Sequence, residues 1–374
     1  MGLSAYPARV RRGLVLLISA IMALTAWCAP AWATPNGTLV TPPVITGAAT
    51  FREILTVTPG VWDTPPLAAT YQWHRDGMPI AGATTSRYRL GLDDIGHVLT
   101  VVESVSDATG TFTAMATPTD PVARATFEVT RNPKVAGDFR FAQTLRIAVR
   151  GKVSPKADSV KVRWRRDGDV VSRKGRYRLG VEDVGAFVSL AVTFRRRGFV
   201  PLTLERGEVV QHRVGVRRRF TYSVQTRGRV RAGLATFKQQ AQQTFDHPLG
   251  WRGAGFSFRR VPRGGDFTLV LSTAPMVPSF SSGCSSTWSC RVGRYVIINE
   301  TRWLHASPAW NGARRSVRDY RHMVVNHETG HWLGHGHAYC RGRGPAPVMM
   351  QQSKGTGGCS FNPWPLPSER WARR

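Results

Sequence analysis

One stretch of this chain is written twice. Tyr71-Gln-Trp73-His-Arg-Asp-Gly77 recurs 91 residues later as Val162-Arg-Trp164-Arg-Arg-Asp-Gly168. Arg87-Tyr-Arg-Leu-Gly-Leu-Asp-Asp-Ile-Gly96 recurs 89 residues later as Arg176-Tyr-Arg-Leu-Gly-Val-Glu-Asp-Val-Gly185. Two near-copies at almost the same spacing mean that a single supersecondary plan is built twice, so the fold must accommodate a repeat before anything else. Each unit carries short alternating runs broken by Gly and Pro, and Asp76-Gly77 and Asp167-Gly168 are hairpin-turn signals. Both units therefore read as all-β, with Trp73 and Trp164 packed in their cores and not placed as ligand sites.

A single Trp followed by Leu-x3-Asp-x-Gly resembles the immunoglobulin-like sandwich, with the Asp-x-Gly at the corner between two strands. The usual disulfide positions hold no cysteine, and Val98 and Phe187 stand where the corner tyrosine would be. The resemblance is therefore to bacterial immunoglobulin-like surface repeats, not to antibody domains. It implies two sandwiches, over residues 34–126 and 127–213, with a different domain over 214–374.

Charge divides the chain in the same places. Of 374 residues, 52 are basic and 23 acidic, a net charge of +29, and 45 of the cations are arginine. Residues 34–126 carry 5 basic and 8 acidic groups, residues 127–213 carry 20 and 9, and residues 214–374 carry 24 and 6. Such a field favours anionic partners. An anionic cell-wall polymer, met by the second repeat and the C-terminal domain, is the expected partner. Charge alone does not make a specific nucleic-acid reader.

The first 33 residues read as a secretory address. Arg9, Arg11 and Arg12 precede an apolar run from Leu14 to about Trp27, and Ala31-Trp32-Ala33 offers a cleavage site after Ala33. No other run is long enough to span a membrane. The expected location is secreted or attached to the cell surface or wall. Beyond the leader the chain keeps Cys284, Cys290, Cys340 and Cys359, an even number suited to an oxidising compartment. Three pairings are possible. Cys284 with Cys290 and Cys340 with Cys359 is preferred, because each closes a local loop; a four-cysteine zinc site would lack a Cys-x2-Cys spacing.

The C-terminal part reads as α/β (α+β). Strands are expected over 218–225, 256–261, 267–272 and 294–299, and helices over 230–245 and 316–333, with Gly334 ending the last. That last helix carries the chemistry: His327-Glu328-Thr329-Gly330-His331-Trp332-Leu333-Gly334-His335-Gly336-His337. His327 and His331 are one helical turn apart, so both imidazoles leave one face and can hold one metal ion. Gly334 lets the chain turn so that His337 returns as third ligand; His335 is the competing choice, available only if the helix continues. Three protein nitrogens leave a coordination position open, as in catalytic zinc sites. Glu328, beside them, is the candidate general base for an attacking water.

The pattern resembles the elongated His-Glu-x2-His-x2-Gly-x2-His signature of metzincin zinc endopeptidases. That resemblance implies bound Zn2+, a protein or peptide substrate, and a methionine turn beneath the metal, for which Met349 in Pro347-Val-Met-Met-Gln351 is preferred over Met350. His305 and His322 are assigned to the surface or to support of the ligands. From about Val214 the chain also resembles a secreted actinobacterial family, the domain of unknown function numbered 3152. The segments 323–337, Pro347-Val-Met-Met-Gln-Gln-Ser-Lys354-Gly and Asn362-Pro-Trp-Pro365 carry that resemblance. It implies a metallopeptidase-like fold and metal more than it implies a substrate. The leading expectation is a secreted zinc endopeptidase with two repeats as a targeting or spacer module. The alternatives are a surface binder with a non-catalytic zinc, or a hydrolase of wall peptide cross-links.

Overall fold

The structure, a computed structural model, describes residues 37–373 apart from 64, 65, 67, 108 and 109, so the expected leader lies outside the described residues. The described chain forms two compact units, one ending at Ala123 and one running from Arg124.

In the first unit a four-stranded antiparallel sheet has the order Met78–Pro79, Ala68–Arg75, Leu99–Ser106, Thr111–Met115. A three-stranded sheet joins Val44–Thr46, Ile54–Thr58 and Arg87–Arg89. Trp73 is fully buried with Leu55, Leu90, Leu99 and Val101, and its indole N–H donates to the Thr85 carbonyl at 2.9 Å. The second unit opens with the same plan. Its four-stranded sheet runs Asp169–Ser172, Ser159–Arg166, Phe187–Arg195, Leu202–Val209. Trp164 is fully buried and donates to the Lys174 carbonyl at 3.0 Å. The two tryptophans are core residues.

The Asp-x-Gly of each repeat locks its corner. Asp94, fully buried, accepts from Gly91 N at 2.6 Å, from Tyr88 Oη at 3.1 Å and from Arg75 Nη2 at 2.6 Å. Asp183 accepts from Gly180 N at 2.6 Å and Tyr177 Oη at 2.8 Å, with Arg166 Nη1 at 3.4 Å. A buried carboxylate is tolerated because every contact is a donor.

The C-terminal part is a five-stranded mixed sheet with helices. Its elements are β1 (Arg218–Arg227), α1 (Leu234–Asp246), β2 (Phe256–Arg260), β3 (Phe267–Ser272), β4 (Cys290–Val292), β5 (Tyr295–Asn299), α2 (Glu300–His305), α3 (Pro308–Gly312) and α4 (Val317–Leu333). The sheet order is β2-β1-β3-β5-β4. The first four are parallel and β4 is antiparallel to β5. β3 is buried at all six positions, as a central parallel strand covered on both faces must be. α1 starts at Leu234, four residues later than its apolar pattern suggests: Gly233 ahead of it is non-helical, ψ 112°, and the Glu300 carboxylate takes the N–H groups of Arg231 and Ala232. The caps of α4 follow its sequence: Ser316 Oγ accepts from Asp319 N at 2.9 Å, and Gly334 takes the left-handed conformation, φ 104°. The cysteines pair 284 with 290 and 340 with 359.

Candidate metal centre

α4 is buried on most of its surface, yet one side of it, from Met323 to His331, opens into a cleft of about 620 Å³. His327, Glu328, His331 and His337 line the cleft, with Arg291 from β4 and Lys354 from the loop after Met350.

The ring nitrogens of His327, His331 and His337 lie within 4.8 Å of one another. His331 Nε2 stands 3.2 Å from His327 Nε2 and 3.2 Å from His337 Nε2. Two of the tautomers are fixed by their neighbours. His327 Nδ1 is 2.8 Å from the Val348 carbonyl and His331 Nδ1 is 2.9 Å from the His335 carbonyl. A carbonyl only accepts, so both Nδ1 atoms carry the proton and both Nε2 atoms present lone pairs. Two lone pairs at 3.2 Å do not form a hydrogen bond; they call for a cation between them. Two nitrogens bound tetrahedrally at about 2.0–2.1 Å from one zinc ion stand about 3.3–3.4 Å apart. The donor set, its spacing and its carbonyl-oriented rings fit such an ion.

Burial weakens the basicity of all three rings. His327 is pushed down to about 3, first by loss of hydration and then by His331. His331 and His337 are lowered for the same first reason. Neutral imidazole is the form that ligates. Glu328 is 5% exposed, and burial raises its carboxyl to about 8 against a small opposing pull from Arg291. Arg291 Nη2 also donates to the His331 carbonyl at 3.0 Å, tying the edge strand to the ligand helix. Nothing in the local sequence marks Arg291 for this, since the contact spans forty residues.

His335 turns away from the cluster. Its Nε2 is 2.8 Å from the Trp371 carbonyl, and its ring packs on Trp371 and Trp251. The left-handed Gly334 is the cause: the helix ends there and His335 leaves its line. His305 is exposed. His322 is buried, with Nδ1 2.9 Å from Thr244 Oγ1, and stacks near His247 and Trp364.

Met349 is buried beneath α4 at Gly330, whereas Met350 lines the cleft. A Cβ at Gly330 would overlap Met349 Sδ and lie 3.0 Å from Trp251 Cζ2. The glycine is what lets the methionine approach the helix so closely. The turn itself is held by Glu369, which accepts from Val348 N at 3.0 Å, Met349 N at 2.9 Å and Leu366 N at 2.8 Å. Gln352 and Asn362 complete the support: Gln352 Nε2 donates to the Pro347 and Asn362 carbonyls, and Asn362 N donates back to Gln352 Oε1. Glu369 carries no sequence signal, because it lies in an aperiodic tail.

The fold and site define a chain with two all-β repeats and a mixed α/β domain bearing a histidine cluster in an open cleft. Residues 205–358 match the family described as "Protein of unknown function (DUF3152)". The match begins inside Leu202–Val209, the last strand of the second repeat, and includes all three clustered histidines and Met349. A search of curated proteins returns no match. Among solved structures, the chain is similar to three N-terminal domains of the highly immunogenic outer capsid protein of bacteriophage RB49. Identity there is 14% and the TM-score 0.24, covering 50% of this chain and 65% of that one. It is also similar to extracellular domains 3–5 of Drosophila OTK, at 15% identity and TM-score 0.19, covering 47% and 61%. Scores this low carry no argument; the all-β character of the repeats rests on their own strand pairing.

Proposed function

We propose that the C-terminal domain is a zinc endopeptidase of metzincin type, secreted, with two immunoglobulin-like repeats ahead of it. One observation carries the reading. Two imidazoles are locked by carbonyls with their lone pairs converging on a third, and a buried carboxylate stands beside them in an open cleft.

His327, His331 and His337 would hold the ion through Nε2. Bound there, zinc supplies Lewis acidity for the scissile carbonyl and lowers the pKa of water. Glu328 takes the proton of the attacking water and passes it to the leaving amine. β4 pairs with β5 along one edge only among the described strands, and it borders the cleft. An extended peptide laid along its other edge would gain backbone hydrogen bonds beside the histidines. The two disulfides suit an oxidising compartment. No helix among the described residues is long and apolar enough to cross a membrane. A structural zinc site would have no use for Glu328, which favours the enzyme over a binder with the same histidines.

The test is a proteome-derived peptide library treated with the metal-loaded protein and with its Glu328→Gln variant. Cleavage by the first and not the second supports the reading. A metal-loaded wild type that cleaves nothing rejects it.

A further inference from the structure

The two repeats present the same sheet face with different charge. Ala68–Arg75 and Ser159–Arg166 are equivalent strands, with the same burial at each of their eight positions. Trp73 and Trp164 point into the cores, so the alternate residues lie on the outer face. In the first repeat those positions are Thr70, Gln72 and His74, and Ser106 stands opposite Ala68 on the neighbouring strand. In the second they are Lys161, Arg163 and Arg165, and Arg195 stands opposite Ser159. Four positions without a lysine or arginine in one copy are four cations in the other.

Those cations have no counter-ion of their own. Among the described residues none of the four is in an ion pair. The one carboxylate in register on that face is Glu205, two strands from Arg163, and it is engaged by the Ser189 hydroxyl. Beside the row, on the neighbouring strand, Thr193, Ala191 and Ser189 stand opposite Lys161, Arg163 and Arg165, all of them small and buried.

We infer that this face of the second repeat, bearing Lys161, Arg163, Arg165 and Arg195, binds a linear polymer of polyol phosphate. Alternate side chains on a strand are about 6.5–7 Å apart. Phosphates linked through a short polyol recur at close to that interval, so successive phosphates meet successive cations. Arginine is the side chain suited to this, because its planar fork meets phosphate oxygens in pairs. Single-stranded nucleic acid has a similar phosphate interval, but its binding sites interleave cations with aromatic platforms. On this face the aromatic residue in register is Phe187, opposite Val209 at one end of its strand, and none is interleaved among Lys161, Arg163 and Arg165. The inference does not depend on the peptidase reading.

The experiment uses the chain from residue 34 onward and poly(glycerol phosphate) as probe, with single-stranded DNA of matched charge as comparison. Four exchanges give the second repeat the first repeat's residues: Lys161→Thr, Arg163→Gln, Arg165→His and Arg195→Ser. They should lower affinity for poly(glycerol phosphate) at least about tenfold at low salt and flatten its salt dependence. A control removes four exposed cations elsewhere: Arg314→Gln, Arg315→Gln, Arg341→Gln and Arg343→Gln. It should change affinity less than about twofold by comparison. The reciprocal transplant, Thr70→Lys, Gln72→Arg, His74→Arg and Ser106→Arg, should raise it. Equal losses from the control mean that only net charge is read, and overturn the inference. So does equal or tighter binding of the DNA. If the fourfold exchange does not fold, the transplant decides, and no gain there rejects the face.

Discussion

Glu369 and His327 are joined through a single residue. Glu369 Oε2 accepts from Val348 N at 3.0 Å, and the Val348 carbonyl accepts from His327 Nδ1 at 2.8 Å. A carboxylate near the C-terminus thereby sets the tautomer and the aim of a ring at the centre of the cleft. Removing it leaves the buried N–H groups of Val348 and Met349 and the half-buried one of Leu366 without an acceptor, each buried one costing about 1–3 kcal/mol. Glu369→Ala should lower the unfolding temperature and also weaken zinc binding about 10–100-fold, the usual effect of losing support behind a ligand. Metal titration of the folded variant checks this. Unchanged zinc affinity in a destabilised protein would mean that the turn keeps its place without Glu369.

Metal content is the next expectation. The protein should bind about one zinc ion per chain, and His327→Ala or His331→Ala should each abolish tight binding, because too few ligands remain. His337→Ala should weaken zinc far more than His335→Ala. His335 instead fills space between Trp251 and Trp371, so its loss should appear in thermal stability with the metal retained. Elemental analysis and calorimetry of the four variants separate the two roles. A larger metal loss from His335→Ala would reject the ligand set.

Glu328→Gln should keep the fold and the zinc but slow hydrolysis by about 10²-fold or more, since the amide cannot accept the proton. The matched comparison is cleavage rate at equal zinc occupancy. Equal rates in the two proteins would remove Glu328 from the chemistry.

Acid stability should depend on a pair of histidines away from the cleft. Burial pushes His322 down to about 3 and His247 down to about 4, with Arg318 adding to both and His212 to the second. The unfolded chain protonates these rings near pH 6.5, where the folded protein does not. Unfolding is therefore favoured as pH falls from about 6.5 toward 4, and the stability they contribute is complete above that window. His322→Gln keeps a donor for Thr244 Oγ1 and should flatten this part of the stability–pH curve. A variant curve parallel to wild type over that range would show that other groups set the slope.

What was legible in the sequence was local or repeated. The i, i+4 histidines, Ser316 and Gly334 announce α4 because one helical turn brings them together. The tryptophans of the repeats announce themselves by recurring. The supports of the site are absent from that reading because each is made by distant chain. Arg291 reaches His331 from a strand of three residues, Glu300 holds the N–H groups ahead of α1 from the start of α2, and Glu369 comes from a tail with no periodicity. Asp94 and Asp183 were visible as motif letters, but their partners Arg75 and Arg166 became visible only with the strands in register.

Gly330 offers the sharpest test of the methionine turn. It occupies a variable position of the histidine motif, so the motif alone does not require glycine there. Its conformation is ordinary helix, so backbone freedom does not require it either. The requirement is space: a methyl group would overlap Met349 Sδ and press on Trp251 at 3.0 Å. Overpacking of this kind costs about 1–3 kcal/mol. Gly330→Ala should therefore destabilise the protein and loosen zinc, since Val348, whose carbonyl orients His327, must move with its neighbour. Met349→Ala alone should also destabilise, by leaving a cavity. In the double variant the new methyl occupies part of that cavity, so the combined loss should be smaller than the sum of the two. Chemical denaturation of the four proteins measures the coupling directly. Additive losses would show that Gly330 and Met349 do not meet in solution, and would remove the turn from its place under the histidines.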